Sequence, residues 1–132
     1  IGGTSVTGEG LRLLHPLNQL RLLDLAELPI KADDLRVLPE SIDDLSLPFC
    51  DVGDEVVKVL ERFENLARLD LQGTFLTASG IEALSALPKL TTLDLSDIRI
   101  NADGLRALKS LPSLEMLTLM GIKLNDQKYA AL

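Results

Sequence analysis

His15 and Cys50 are the candidate base and thiol nucleophile of this 132-residue chain, and beside them stands a recurring set of acids that includes Asp24, Asp70 and Asp94. Thiol catalysis needs an imidazole within hydrogen-bond reach and a third group to orient it. His15 and Cys50 occupy different places in a repeating pattern, with no third group in register, so catalysis is not expected. No glycine-rich phosphate loop and no metal-ligand spacing occurs. The pairs Asp33–Asp34 and Asp43–Asp44 lack the clustered oxygen ligands of a specific cation site, so neither metal nor cofactor is expected. What the acids offer is a charged surface, and its shape depends on the elements that carry it.

Those elements repeat. The pattern LxxLxLxxxxL starts at Leu20, at Ile42 (as IxxLxLxxxxV), and at Leu66, Leu90 and Leu114, in steps of 22, 24, 24 and 24 residues. This divides one domain, 1–132, into a partial repeat 1–19, repeats 20–41, 42–65, 66–89 and 90–113, and a truncated repeat 114–132. The opening segment aligns with the third full repeat, pairing Ile1 with Leu71, Thr4 with Thr74, Gly10 with Gly80 and Leu17 with Leu87. The chain is therefore expected to begin in a strand and to be a piece of a longer array.

Counting the first Leu or Ile of each repeat as position 1, positions 4 and 6 are apolar around a polar position 5: Leu69 and Leu71 around Asp70, Leu93 and Leu95 around Asp94. Period two over so short a run predicts one strand per repeat. After position 11 the apolar spacing becomes +5, +8, +11, as from Leu76 to Ile81, Leu84 and Leu87, which predicts a short α or 3₁₀ segment with one buried stripe. Thr7, Thr77, Asn101 and Asn125 stand where a side-chain oxygen can cap that segment, and Pro88 and Pro112 stand where it should end. Gly73, Gly80, Gly104 and Gly121 are assigned to tight turns in loops. One strand and one short helix cannot bury their own apolar face, so neighbours must stack into a curved parallel sheet with helices outside.

Composition agrees. The apolar fraction is 46%, aromatics are only 3%, and Leu occurs 31 times, so one side chain fills the same niche layer after layer. One cysteine excludes an internal disulfide framework and fits a reducing compartment, although a secreted effector also fits. A net charge of −7 without a Lys/Arg cluster argues against nucleic acid and anionic membrane as partners.

Across its whole length the chain resembles the leucine-rich repeat family, and the G-I/L-x-A-L element at Gly80–Leu84 and Gly104–Leu108 resembles its ribonuclease-inhibitor-like and cysteine-containing subclasses. The resemblance implies an α/β solenoid, an arc with a concave parallel sheet and convex short helices, and it implies protein recognition as the usual work. The phrase GTFLTASGI resembles bacterial members. A Cys-Asp dipeptide also resembles bacterial effector ubiquitin ligases, but Cys50 lies inside a repeat and not in a separate domain. The family's position-nine Asn is replaced here by Leu28, Cys50, Thr74, Ile98 and Ile122, so the loops must satisfy their backbone in another way.

In such an arc, positions 2, 3, 5, 7 and 8 face a partner. They carry Asp24, Glu27, Asp43, Asp44, Asp70, Asp94, Asp97 and Glu115 against Arg21 and Arg68, so eight acids less two bases give −6 of the total −7. That face would steer and hold a basic partner. Leu22, Phe49, Met116 and Met120 are apolar anchors on it; the two methionines also fit packing against a following repeat. The expected binding set is Asp24, Glu27, Asp44, Phe49, Arg68, Asp70, Asp94, Asp97 and Met116. The expected function is a non-catalytic protein-interaction module for a partner with a basic patch. Two alternatives are a substrate-recruiting segment of a multidomain enzyme or bacterial effector, and a structural spacer. Leu-lined ends would favour end-to-end self-association. The stretch Glu27–Gly53, short by two residues and holding Pro29, Pro39 and Pro48, is the irregular part; there Pro48 is expected to remove a rung of the strand ladder.

Overall fold

The computed structural model describes residue 2 and residues 4–122. Each full repeat, and the one that follows them, contributes a strand of three residues: β1 (Leu22–Asp24), β2 (Asp44–Ser46), β3 (Arg68–Asp70), β4 (Thr92–Asp94) and β5 (Met116–Thr118). The strands pair in chain order into one parallel sheet, and the register aligns Leu23, Leu45, Leu69, Leu93 and Leu117. One face of the sheet is therefore a row of Leu turned inward. Leu45 and Leu93 are fully buried, and burying one such side chain contributes about 1.5–3 kcal/mol.

The helices pack behind that row. They are α1 (Gly8–Leu11), α2 (Glu55–Leu60), α3 (Ala78–Ala83) and α4 (Ala102–Ala107), with single 3₁₀ turns at Arg12–Leu14, Leu84–Ala86 and Leu108–Ser110. The +5, +8, +11 stripe is the buried one: Val57, Leu60 and Phe63 in one repeat, Ile81, Leu84 and Leu87 in the next. Capping follows the prediction at Thr77, whose Oγ1 accepts from Ser79 N at 3.3 Å, and at Asn101, whose Oδ1 accepts from Gly104 N at 2.9 Å. Thr7 caps α1 only with its backbone carbonyl, which accepts from Gly10 and Leu11. The predicted cap at Asn125 lies outside the described residues, as do Ile1 and the rest of repeat 114–132 beyond Ile122.

Three expectations need correction. Gly80 and Gly104 lie inside α3 and α4, not in loops. A Cβ at Gly80 would sit 2.1 Å from Asp54 Oδ1, and one at Gly104 would sit 2.4 Å from Ile100 Cγ1, so close approach and not turn geometry excludes a side chain. Asp54 lies there because it reaches into the next repeat, accepting from Thr77 N at 2.8 Å and from Thr77 Oγ1 at 2.6 Å. Second, the irregular stretch Glu27–Gly53 keeps a residue in the helix-end niche, a proline in place of Leu. Pro39, three residues before Ile42, is buried in the place that Phe63 holds before Leu66 and Leu87 before Leu90, and the same carbonyl-to-amide turn follows each. The two missing residues come from the helix, which is wholly 3₁₀ (Ala32–Val37) and climbs farther per residue than an α-helix.

Third, Pro48 costs the ladder nothing. Beyond the strands, the N–H groups of positions 6 and 8 donate to the carbonyls of positions 5 and 7 in the next repeat, as Leu25 to Ser46 and Glu27 to Pro48, both at 2.9 Å. The position-7 N–H takes no part, so proline there deletes no rung. The strand expected at the opening of the chain falls on Ile1, outside the described residues.

Candidate functional site

The open face of the sheet ends, where the strands run out, in an edge whose geometry repeats. At position 5 an aspartate closes the strand: Asp24 Oδ1 accepts from Ala26 N at 2.9 Å, Asp70 Oδ1 from Gln72 N at 2.9 Å, and Asp94 Oδ1 from Ser96 N at 2.8 Å. Each carboxylate thus satisfies the position-7 N–H that the ladder leaves out. In repeat 42–65 position 7 is Pro48, which has no N–H, and position 5 is Ser46. In repeat 114–132 position 5 is Thr118, and the Met120 N–H donates instead to Ser96 Oγ at 3.0 Å.

Asp70 and Asp94 stand one strand apart, about 4.8 Å, in direct register, and Ser46 separates Asp70 from Asp24. Asp70 is half-buried, and its pKa is raised above the ordinary 3.8: burial is the main cause, and the Asp94 carboxylate adds to it, against the Gln72 and Ser46 hydrogen bonds. The native state therefore binds this proton more tightly than the unfolded chain. That contribution to stability is present below pH 3.8 and is lost as pH rises through the higher folded value. Asp70→Asn keeps an acceptor for Gln72 N–H and removes the repulsion. It should stabilise the protein at neutral pH by about 0.5 kcal/mol, the scale of a cross-strand charge pair, with the gain vanishing in acid. Denaturant midpoints of both proteins at pH 7 and pH 3 check this; a gain that persists at pH 3 rules out the titration.

At position 8 the backbone is left-handed in all five described repeats: Glu27 (φ 59°), Phe49 (58°), Gly73 (65°), Asp97 (57°) and Gly121 (64°). Only the two glycines adopt this without strain. Phe49 is half exposed, with its Cδ1–Cε1 side against Gly73: a Cβ on Gly73 would stand 2.3 Å from that ring. Asp97 covers Gly121 in the same way, and its Oδ2 accepts from Gln72 Nε2 at 2.8 Å.

Charge along the face is arranged by height. At the strand entry Arg21 pairs with Asp43, and Arg68 Nη1 lies 3.4 Å from Asp44. At the strand exit the row is Asp24, Asp70 and Asp94, with Glu27 and Asp97 one step above. Asp33 is bonded by Arg36, and Asp34 accepts from Lys31 N, so these acids too serve local structure. Of the apolar candidates, Leu22, Met116 and Met120 are 61%, 60% and 67% exposed.

A leucine rich repeat family model matches residues 64–124. Two Listeria monocytogenes structures are similar over most of the chain. Internalin C2 aligns at 26% identity with a TM-score of 0.60, covering 81% of this chain and 45% of its own. Internalin InlF aligns at 27% identity with a TM-score of 0.70, covering 89% of this chain and 33% of its own. The fold is that of a leucine-rich repeat solenoid. The chain spans less than half the length of either internalin, and no curated protein sequence matches it.

As in leucine-rich repeats generally, position 9 turns inward. Cys50 is buried, its thiol donates to the Leu25 carbonyl at 3.2 Å, and burial raises its pKa, so it is held as a protonated structural group. Thr74 donates to the Leu71 carbonyl at 2.6 Å. Where position 9 is apolar the backbone turn still closes, as Leu28 N to Leu25 O at 3.3 Å. The His15 ring lies 3.2 Å from the Val37 carbonyl on the helical side of the solenoid, so the structure does not bring His15 and Cys50 together.

Sequence reasoning missed Phe75, at position 10 and 68% exposed, which lines a recess with Gly73, Thr77, Asp97 and Arg99. It also missed the left-handed column, although Gly73 and Gly121 at the same repeat position are its signal.

Proposed function

We propose that this chain is a non-catalytic protein-interaction module whose open sheet face, acidic toward the strand exit, receives a partner protein carrying a basic patch. One observation carries the reading. Leu22 and Met116 on the outward side of the strands, and Phe49 just past the end of β2, stand more than half exposed among acids, and partly apolar surfaces rimmed by charge are what protein interfaces use. Asp24, Glu27, Asp44, Phe49, Arg68, Asp70, Asp94, Asp97 and Met116 remain the proposed contact set. Asp44 and Arg68 are already paired, so they contribute polar rim more than net charge. A second reading, recruitment of a substrate for chemistry encoded in another domain, is supported by the greater length of the similar internalins.

Because Asp70 and Asp94 hold backbone N–H groups, the test preserves them as amides. The variant Asp70→Asn, Asp94→Asn, Asp97→Lys removes three negative charges, adds one positive charge and leaves both turns closed. A partner captured by the wild-type chain, identified and then titrated, should bind this variant at least tenfold more weakly at low salt, with a shallower salt dependence. Equal affinity at low salt would remove the sheet face from the reading.

A further inference from the structure

We propose that Phe49, seated on Gly73, is a platform for an arginine side chain of the partner, with its guanidinium over the ring and donating to Asp97. The inference rests on the sheet-face reading above and adds to it a residue, a position and a chemistry. Three observations lead to it. Phe49 holds the left-handed backbone of its repeat position (φ 58°), where two other repeats have glycine, so its Cβ direction is fixed. The residue is 52% exposed. Gly73 leaves the space on which the ring rests, since any Cβ there would occupy it. An exposed aromatic ring fixed by its backbone and its glycine seat offers a face to a ligand.

The charges around the ring name the ligand. Glu27 stands one repeat before Phe49 and Asp97 two repeats after, both at position 8 and both left-handed, so the ring lies between two carboxylates along one edge. A cation over an aromatic face with a carboxylate in reach is the environment for guanidinium, which stacks flat and donates in a fork.

The probes are tetra-arginine, tetra-lysine and tetra-citrulline peptides titrated into the full chain, followed by the amide resonances of Gln72, Gly73 and Asp97. Tetra-arginine should shift these amides and citrulline should not. Phe49→Gly should weaken tetra-arginine binding by about threefold to fivefold, the scale of an exposed cation–π contact, while leaving the denaturation midpoint unchanged or higher. Phe49→Tyr should retain the affinity. Equal binding of tetra-lysine, shifts confined to Asp43 and Asp44, or unchanged affinity in Phe49→Gly would each overturn the proposal. If the acid-depleted variant of the previous section loses its partner and Phe49→Gly does not, the sheet face stands and the platform falls; if neither loses it, both fall.

Discussion

Phe63→Ala should lower the unfolding free energy by about 3–5 kcal/mol, a large fraction of the roughly 5–15 kcal/mol that holds a domain of this size. Phe63 is 1% exposed, and it is the largest of the fully buried side chains. It fills the niche that Leu87 and Leu111 fill in later repeats, next to a layer where that niche holds the smaller Pro39. A solenoid contacts only its neighbours, so the cavity cannot be relieved by distant parts of the core. Denaturant unfolding checks the magnitude. Amide exchange should show the loss of protection concentrated in repeat 42–65 and the repeats on either side. A cost below about 1 kcal/mol would mean that the layer collapses onto Leu60 and Leu66.

Gly73→Ala should cost about 2–4 kcal/mol, combining the left-handed backbone penalty with the overpacking of a Cβ against a ring. The two contributions are separable. In a Phe49→Gly background the collision disappears and only the backbone penalty remains, so the same substitution should cost about 1–2 kcal/mol. The difference between the two costs is a coupling energy that a double-mutant cycle reads directly. No coupling would mean that the ring swings away from Gly73 freely, which would also weaken the case for a fixed platform.

The repeat made much of this architecture legible. The period of about 24 residues, the alternation around Leu69 and Leu93, and the three-step stripe from Ile81 to Leu87 each reflect burial, which leaves a mark in residue type. What stayed hidden depends on backbone hydrogen bonding, which leaves little. Asp24, Asp70 and Asp94 read as surface charge because a carboxylate bound to an N–H two residues on looks the same in sequence as a solvated one. Pro48 read as damage to the ladder because the unused N–H of position 7 is invisible until the pairing is known. Glu27, Phe49 and Asp97 gave no sign of their left-handed backbone, although Gly73 and Gly121 in the same column did. Gly80 and Gly104 were misplaced because a glycine excluded by a neighbour and a glycine required by a turn are spelled alike.

The pairing of Ser46 with Pro48, where three other repeats pair aspartate with a residue that has an N–H, means that the charge of this face is separable from its scaffold. Repeats 20–41, 66–89 and 90–113 finish the strand with an acid that binds the amide, and repeat 42–65 with a proline that has none. Writing Ser-Leu-Pro in place of Asp-Leu-X removes one negative charge per repeat and leaves the ladder whole. The electrostatic character of the surface can thus be reset in steps of one unit, layer by layer, without repacking a single leucine.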